Sequence, residues 1–144
     1  MEKKRETQIL HTSRKDINRF FPSCTRGDRT RYWLKVQDGC DRYCAYCLIP
    51  YARGPVRSRD LEEVYREVVE ISKTGIKEIV ITGIHIASYG KDFKEDVKLI
   101  DILEQLNEIE GLERIRLGSL EPTLITEEFV NRLKKLNKVC NHFH

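Results

Sequence analysis

Three cysteines, Cys40, Cys44 and Cys47, fall within eight consecutive positions of the 144-residue chain. Thiols packed that closely along a chain suit metal or redox chemistry. A closed structural zinc site takes four tetrahedral ligands, usually as two close pairs, and no second cysteine pair follows downstream. Cys24, Cys140 or one of His85, His142 and His144 could complete such a site only through the fold. The spacing C-x3-C-x2-C fits a different object, a cubane 4Fe-4S cluster with three irons tied by thiolates and one left open. On that reading the missing fourth ligand is the function, because the open iron can bind a small molecule and pass it an electron. Cys24 and Cys140 stand alone and read as small apolar residues.

The five cysteines are odd in number and unevenly spread, unlike the even framework of a disulfide-stapled secreted chain, so a reducing compartment is expected. No apolar run approaches the ~20 residues of a membrane span, and the N-terminal MEKKRETQILHTSRK lacks the apolar middle of a secretory signal. A cytoplasmic protein with no membrane partner is the expectation. The net charge of +3 hides an asymmetry: residues 1–59 carry 14 Lys+Arg against 6 Asp+Glu, and residues 60–144 carry 12 against 17. A basic front of this kind can attract phosphate backbones, although a solvated surface segment is the commoner explanation.

The elements that must position the cysteines begin near Arg31. Residues 1–29 are polar and basic, contain Pro22 and Gly27, and read as a linker or the remnant of a further domain. Tyr32, Trp33, Leu34 and Val36 predict a strand running into the cysteine loop, which continues through Pro50, Gly54 and Pro55. Asp60 can cap a helix carrying Leu61, Val64, Val68 and Ile71, with Glu63 at the capping-box position and Gly75 at the stop. Ile79, Val80 and Ile81 form a β-branched run ending at Thr82 and Gly83, the pattern of a strand buried on both faces. Leu99, Ile102, Leu103 and Leu106 predict a second helix closed by Gly111. Ile115 and Leu117 mark a third strand, and Thr126 can cap a third helix with Phe129, Val130, Leu133 and Leu136.

Strand followed by helix three times argues an α/β fold with a parallel sheet. Residues 139–144 read as the opening of a fourth strand, so a partial β/α barrel cut after about three units is expected over residues 30–144. In such folds the loops after the strands carry the chemistry. Those are the cysteine loop, TGIHIASYG (82–90) and GSLEP (118–122), all opening on one edge.

Several residues on these loops have two readings. Gly83 lets a ligand approach the backbone closely or simply ends a strand. His85 is a cofactor contact or a packed histidine. Ser119 and Glu121 could contact a cofactor, while Glu121-Pro122 is also ordinary turn chemistry. Arg53, Arg57 and Arg59 suit phosphate or pair with acidic helices. Tyr43 and Tyr46 could shield a cluster or fill core.

The signature Cys40, Cys44, Tyr46 and Cys47, of the form C-x3-C-x-aromatic-C, resembles the radical S-adenosylmethionine superfamily. Three segments in order, KVQDGCDRYCAYCLIPYARGPVRSR (35–59), EIVITGIHIASYG (78–90) and RIRLGSLEP (114–122), are similar to the tRNA methylthiotransferases, especially the branch acting on N6-threonylcarbamoyladenosine. The resemblance implies a partial β/α barrel with Cys40, Cys44 and Cys47 on a 4Fe-4S cluster. Its unique iron would bind S-adenosylmethionine, whose one-electron cleavage gives a 5′-deoxyadenosyl radical. Tyr46, Thr82, Gly83, His85, Ser119 and Glu121 would lie at the cofactor. A second cofactor molecule would supply the methyl group, and C2 of the modified adenosine would receive a methylthio group.

Implied partners are tRNA, S-adenosylmethionine and an electron donor such as flavodoxin or ferredoxin. Members of the family also carry an N-terminal domain with a second 4Fe-4S cluster and a C-terminal RNA-binding domain. The chain alone is therefore expected to lack turnover. Related branches act on isopentenyladenosine or a ribosomal protein. Two other classes remain open: a zinc-stapled nucleic-acid-binding module without catalysis, and an electron carrier, against which the lack of a fourth clustered cysteine counts.

Overall fold

The computed structural model describes residues 31–144; the expected polar segment 1–29, with Cys24, lies outside the described residues. Strand β1 (Arg31–Asp38) leads into the cysteine loop, a short helix α1 (Ile49–Arg53) and a two-residue strand β2 (Arg57–Ser58). Helix α2 (Leu61–Lys73), strand β3 (Glu78–Gly83), helix α3 (Leu99–Asn107), strand β4 (Arg114–Leu117) and helix α4 (Glu127–Leu133) follow.

The sheet order is β2-β1-β3-β4. β1, β3 and β4 run parallel, with Tyr32 opposite Ile79 and Ile79 opposite Ile115. This is the expected parallel sheet of a partial barrel. β2 was not expected: it pairs antiparallel with the end of β1, Gln37 to Ser58 and Asp38 to Arg57. A run of two residues gives no alternation for a sequence to display. The expected fourth strand consists of one parallel bridge, Ile115 to Val139.

One face of the sheet is apolar and the other charged. Leu34, Val36, Ile79, Ile81, Ile115 and Leu117 are buried in one core cluster with Val64, Val68 and Ile71 of α2 and Ile102, Leu103 and Leu106 of α3. At ~25 cal/mol per Å² of apolar surface removed from water, this layer supplies the main drive for folding. On the opposite face Glu78 of β3, only 5% exposed, receives guanidinium nitrogens from both flanking strands: Arg31 Nε of β1 at 2.7 Å, and Arg114 Nε at 2.8 Å and Arg116 Nε at 3.0 Å of β4. Burial pushes the Glu78 carboxyl up, but the hydrogen bonds from Arg114 and Arg116 outweigh it and hold the group below the usual carboxylate range.

Helix boundaries follow their caps. The Asp60 side chain accepts from the Glu63 amide at the start of α2, and Gly75 lies just beyond its end at φ +90°. Thr126 Oγ1 accepts from the Phe129 amide in the same way. Helix α4 is shorter than its apolar period suggested and ends at Leu133, with Leu136 packed against the core from the turn beyond. Among the described residues no helix is long and apolar enough to cross a membrane.

Candidate functional site

Cys40 is the second residue after β1, so its backbone is fixed by the sheet. Its amide donates to the Gly54 carbonyl at 3.1 Å, and the Asp41 carboxylate accepts from the Val56 amide at 3.2 Å. These bonds tie the base of the loop to the turn before β2. Gly39 makes that close approach possible: at φ +73°, a Cβ on it would lie 1.8 Å from the Pro55 carbonyl oxygen. Pro50 starts α1 and Gly54, at φ 75°, stops it. The sequence carried the cysteine loop on through Pro50, Gly54 and Pro55 with no helix in it; a helix of five residues is too short for a visible period.

The tip of the loop is open to solvent. Cys40 is buried, Cys47 is half-buried and Cys44 is exposed, and all three are free thiols. The Cys47 amide donates to the Cys44 carbonyl at 2.9 Å. Tyr46 is 94% exposed, and Tyr43 packs edge-on against Tyr51 with both rings largely in solvent; neither Tyr43 nor Tyr46 fills core. Among the described residues no three His, Cys, Asp or Glu side chains stand close enough to hold a metal ion, so the thiols share a loop without converging. Their chemistry nonetheless fits a three-thiolate site: three free sulfurs on one short solvent-facing stretch whose two ends are pinned.

The loops after β3 and β4 meet the cysteine loop at the same edge of the sheet. Gln37, fully buried, donates from Nε2 to the Asp38 and Gly39 carbonyls at 2.8 and 2.7 Å, and its Oε1 accepts from the His85 amide at 2.7 Å. The space a Cβ on Gly83 would need is taken by Gln37 and Ile86, each 2.9 Å away. Packing therefore accounts for the glycine at 83, and its exposed backbone still faces the edge. Thr82 is half-buried and its hydroxyl donates to the Leu34 carbonyl at 3.3 Å.

His85 is 17% exposed and lies between two partners. Its Nε2 is 2.7 Å from Glu121 Oε2 and its Nδ1 is 2.7 Å from the Ser88 hydroxyl. The same carboxylate oxygen accepts from an Arg42 guanidinium nitrogen. Burial pushes the Glu121 carboxyl up, but hydrogen bonds from His85 and Thr123 and the nearby Arg42 charge hold it below the usual range. Ser119 is exposed, with its hydroxyl 3.2 Å from His144 Nδ1. Beside this cluster a cleft of about 450 Å³ is lined by Arg42, Tyr89, Lys91, Lys98, Thr123 and Leu124, among others.

Arg57 and Arg59 are drawn inward, while Arg53 stays exposed. Arg59 is 9% exposed and its Nη2 lies 2.7 Å from the Glu67 carboxylate. Arg57 and Arg53 both approach the Asp38 carboxylate, at 3.6 and 3.7 Å, and Lys35 Nζ reaches it at 2.5 Å. Burial raises the Asp38 carboxyl, and Lys35, the Gly39 amide and Arg53 more than reverse the effect. These cations brace the base of the cysteine loop. Arg42 and Gln37 carried no signal beyond residue type in the sequence; Gln37 falls where the alternation of β1 allows a polar side chain, and only the folded structure shows it buried.

A family model described as the radical SAM superfamily matches residues 34–144. The chain belongs to the radical SAM superfamily. Among curated relatives it is 44% identical over 119 residues to the tRNA-2-methylthio-N(6)-dimethylallyladenosine synthase of Natranaerobius thermophilus, covering 83% of this chain and 26% of that protein. It is 46% identical over 118 residues to the threonylcarbamoyladenosine tRNA methylthiotransferase MtaB of Bacillus subtilis, covering 81% and 26%. A dimethylallyladenosine synthase of Clostridium tetani matches at 39% over 119 residues, again 83% of this chain and 26% of the relative. The chain thus spans about a quarter of the length of the curated relatives it matches.

Proposed function

We propose that the chain provides the cluster- and cofactor-binding part of a tRNA methylthiotransferase. Cys40, Cys44 and Cys47 hold a 4Fe-4S cluster, and S-adenosylmethionine binds beside it against Tyr46, Thr82, Gly83 and Ser119. The bound cluster supplies an electron for reductive cleavage of the cofactor's sulfonium, drawn from a donor protein of the flavodoxin or ferredoxin kind. The residues of the chain bind and orient. The pinned base of the cysteine loop sets where the sulfurs lie relative to the ends of β3 and β4, and the adjoining cleft has the size of a small-molecule site.

The substrate proposed is N6-threonylcarbamoyladenosine in tRNA, methylthiolated at C2. The similarity to MtaB supports that branch, and relatives acting on dimethylallyladenosine at comparable identity support the wider class of N6-modified adenosines. The observation that carries the reading is the three free cysteines at C-x3-C-x2-C spacing on the loop after β1, inside the region matched by the radical SAM model.

Anaerobic reconstitution with iron and sulfide tests it. About four irons and a broad visible absorbance per chain are expected, with both lost when Ala replaces any one of the three cysteines. Stoichiometric zinc uptake with no sulfide would overturn the reading in favour of a zinc-held module. Supplying tRNA carrying one or the other modified adenosine to a full-length relative bearing this segment would separate the two substrates.

A further inference from the structure

Arg42 sits between the first two cysteines, on the exposed part of the loop, and reaches Glu121, 79 residues away in the turn after β4. Glu121 in turn holds His85, from the turn after β3, and His85 holds the buried Ser88. One hydrogen-bonded chain thus crosses all three loops at the C-terminal edge of the sheet. With the proton on His85 Nε2, the ring donates to Glu121, and Nδ1 accepts from the Ser88 hydroxyl, so each group has a partner matched to its chemistry.

We propose that Glu121 is a positioning residue that locks the cysteine loop across the edge of the sheet through Arg42 and His85. The inference rests on the cluster reading above, but assigns Glu121 and His85 a task other than cofactor contact. Cys40 to Gly54 and Asp41 to Val56 pull the loop toward the β2 side, and at its start Gly39 is joined through Gln37 to the His85 amide after β3. Arg42 is the anchor that reaches across β3 to β4. Tyr43, directly after it, takes φ 46°, so the chain turns sharply where the tether is attached. A loop pinned on one side swings; pinned on both, it presents Cys44 and Cys47 in a fixed relation to Thr82 and Gly83.

A lone surface ion pair is worth little. This carboxylate, however, is 29% exposed, takes two donors on one oxygen, and has as its second donor a histidine only 17% exposed and fixed at its other nitrogen. A charge-assisted network of that kind has a measurable effect on local opening.

Hydrogen exchange read by mass spectrometry on the metal-free chain tests the lock directly. In Arg42→Ala and Glu121→Ala, exchange in peptides covering residues 40–48 should rise about threefold to tenfold, with peptides from α2 unchanged. The double variant should rise no further than either single one, and Arg42→Lys should restore part of the protection. In the reconstituted chain, Glu121→Ala and the milder Glu121→Gln should still take up iron. The change in the reduced cluster's electron paramagnetic resonance signal on adding S-adenosylmethionine should then need several-fold more cofactor.

Unchanged exchange over 40–48 in both single variants, or additive effects in the double variant, would overturn the lock while leaving the cluster reading intact. Failure of the unaltered chain to assemble a cluster would overturn the cluster reading, and the exchange result would then still decide the lock.

Discussion

Gly39 and Gly75 are both held at positive φ, +73° and +90°, yet their surroundings differ. A Cβ on Gly75 meets nothing within 4 Å, whereas one on Gly39 meets the Pro55 carbonyl at 1.8 Å. Gly75→Ala should cost only the backbone strain of about 1–2 kcal/mol. Gly39→Ala should cost more in urea unfolding and also lower iron uptake on reconstitution, because Pro55 must move and takes the cysteine loop with it. Equal costs for the two substitutions would deny the close approach its importance. At this scale the three cysteines stood out because residue type and spacing single them out in the sequence. Arg42 and Gln37 were not, since their partners Glu121 and His85 lie 79 and 48 positions away and only the folded sheet brings them together.

Helix α4 is clipped to α3 by one side chain. Arg132 places Nε 2.8 Å from Glu104 Oε1, and its Nη2 reaches Glu104 Oε2 at 2.6 Å and Asp101 Oδ1 at 2.5 Å. The hydrogen bond from Arg132 holds the Glu104 carboxyl below its usual range despite some opposing burial. A group with a depressed folded value contributes stability above its unfolded pKa of ~4.3 and loses it as pH falls through the folded value. Glu104→Gln should therefore lower stability near neutral pH and flatten the acid limb of a stability profile measured by urea unfolding from about pH 6 downward. A variant whose acid limb matches that of the unaltered protein would show that the clip is idle.

Capping gives a second check at the same scale: Asp60→Ala should cost about 1 kcal/mol by removing the acceptor for the Glu63 amide. The long elements α2, α3 and β3 were legible from period and β-branched runs. The five-residue α1 and two-residue β2 were not, because neither is long enough to show a repeat, and both owe their existence to the pairing and packing around Pro50, Gly54 and the end of β1.

The described residues share one apolar layer, and Leu103 lies at its centre, fully buried. Leu103→Ala should destabilise the chain by about 2–5 kcal/mol. Far-ultraviolet circular dichroism and the fluorescence of Trp33 should report the same shifted transition, since Trp33 sits on β1 with 39% of its surface exposed. Two separated transitions would mean that the layer does not unfold as a unit. The parallel α/β architecture was legible from the threefold strand–helix alternation. The division of the sheet into an apolar and a charged face was less so, because only the strand pairing brings Arg114 and Arg116 onto Glu78, 36 and 38 positions away.

The meeting of three guanidiniums on Glu78 bears on how the sheet is assembled. Arg31 comes from β1 and Arg114 and Arg116 come from β4, on either side of Glu78 in β3, so the arrangement closes only when β1, β3 and β4 are aligned as they are. A slip by a single residue would turn arginine side chains into the apolar layer and strand a carboxylate without its counter-charges. The cluster thus works as an alignment key for the sheet, making a misregistered pairing costly.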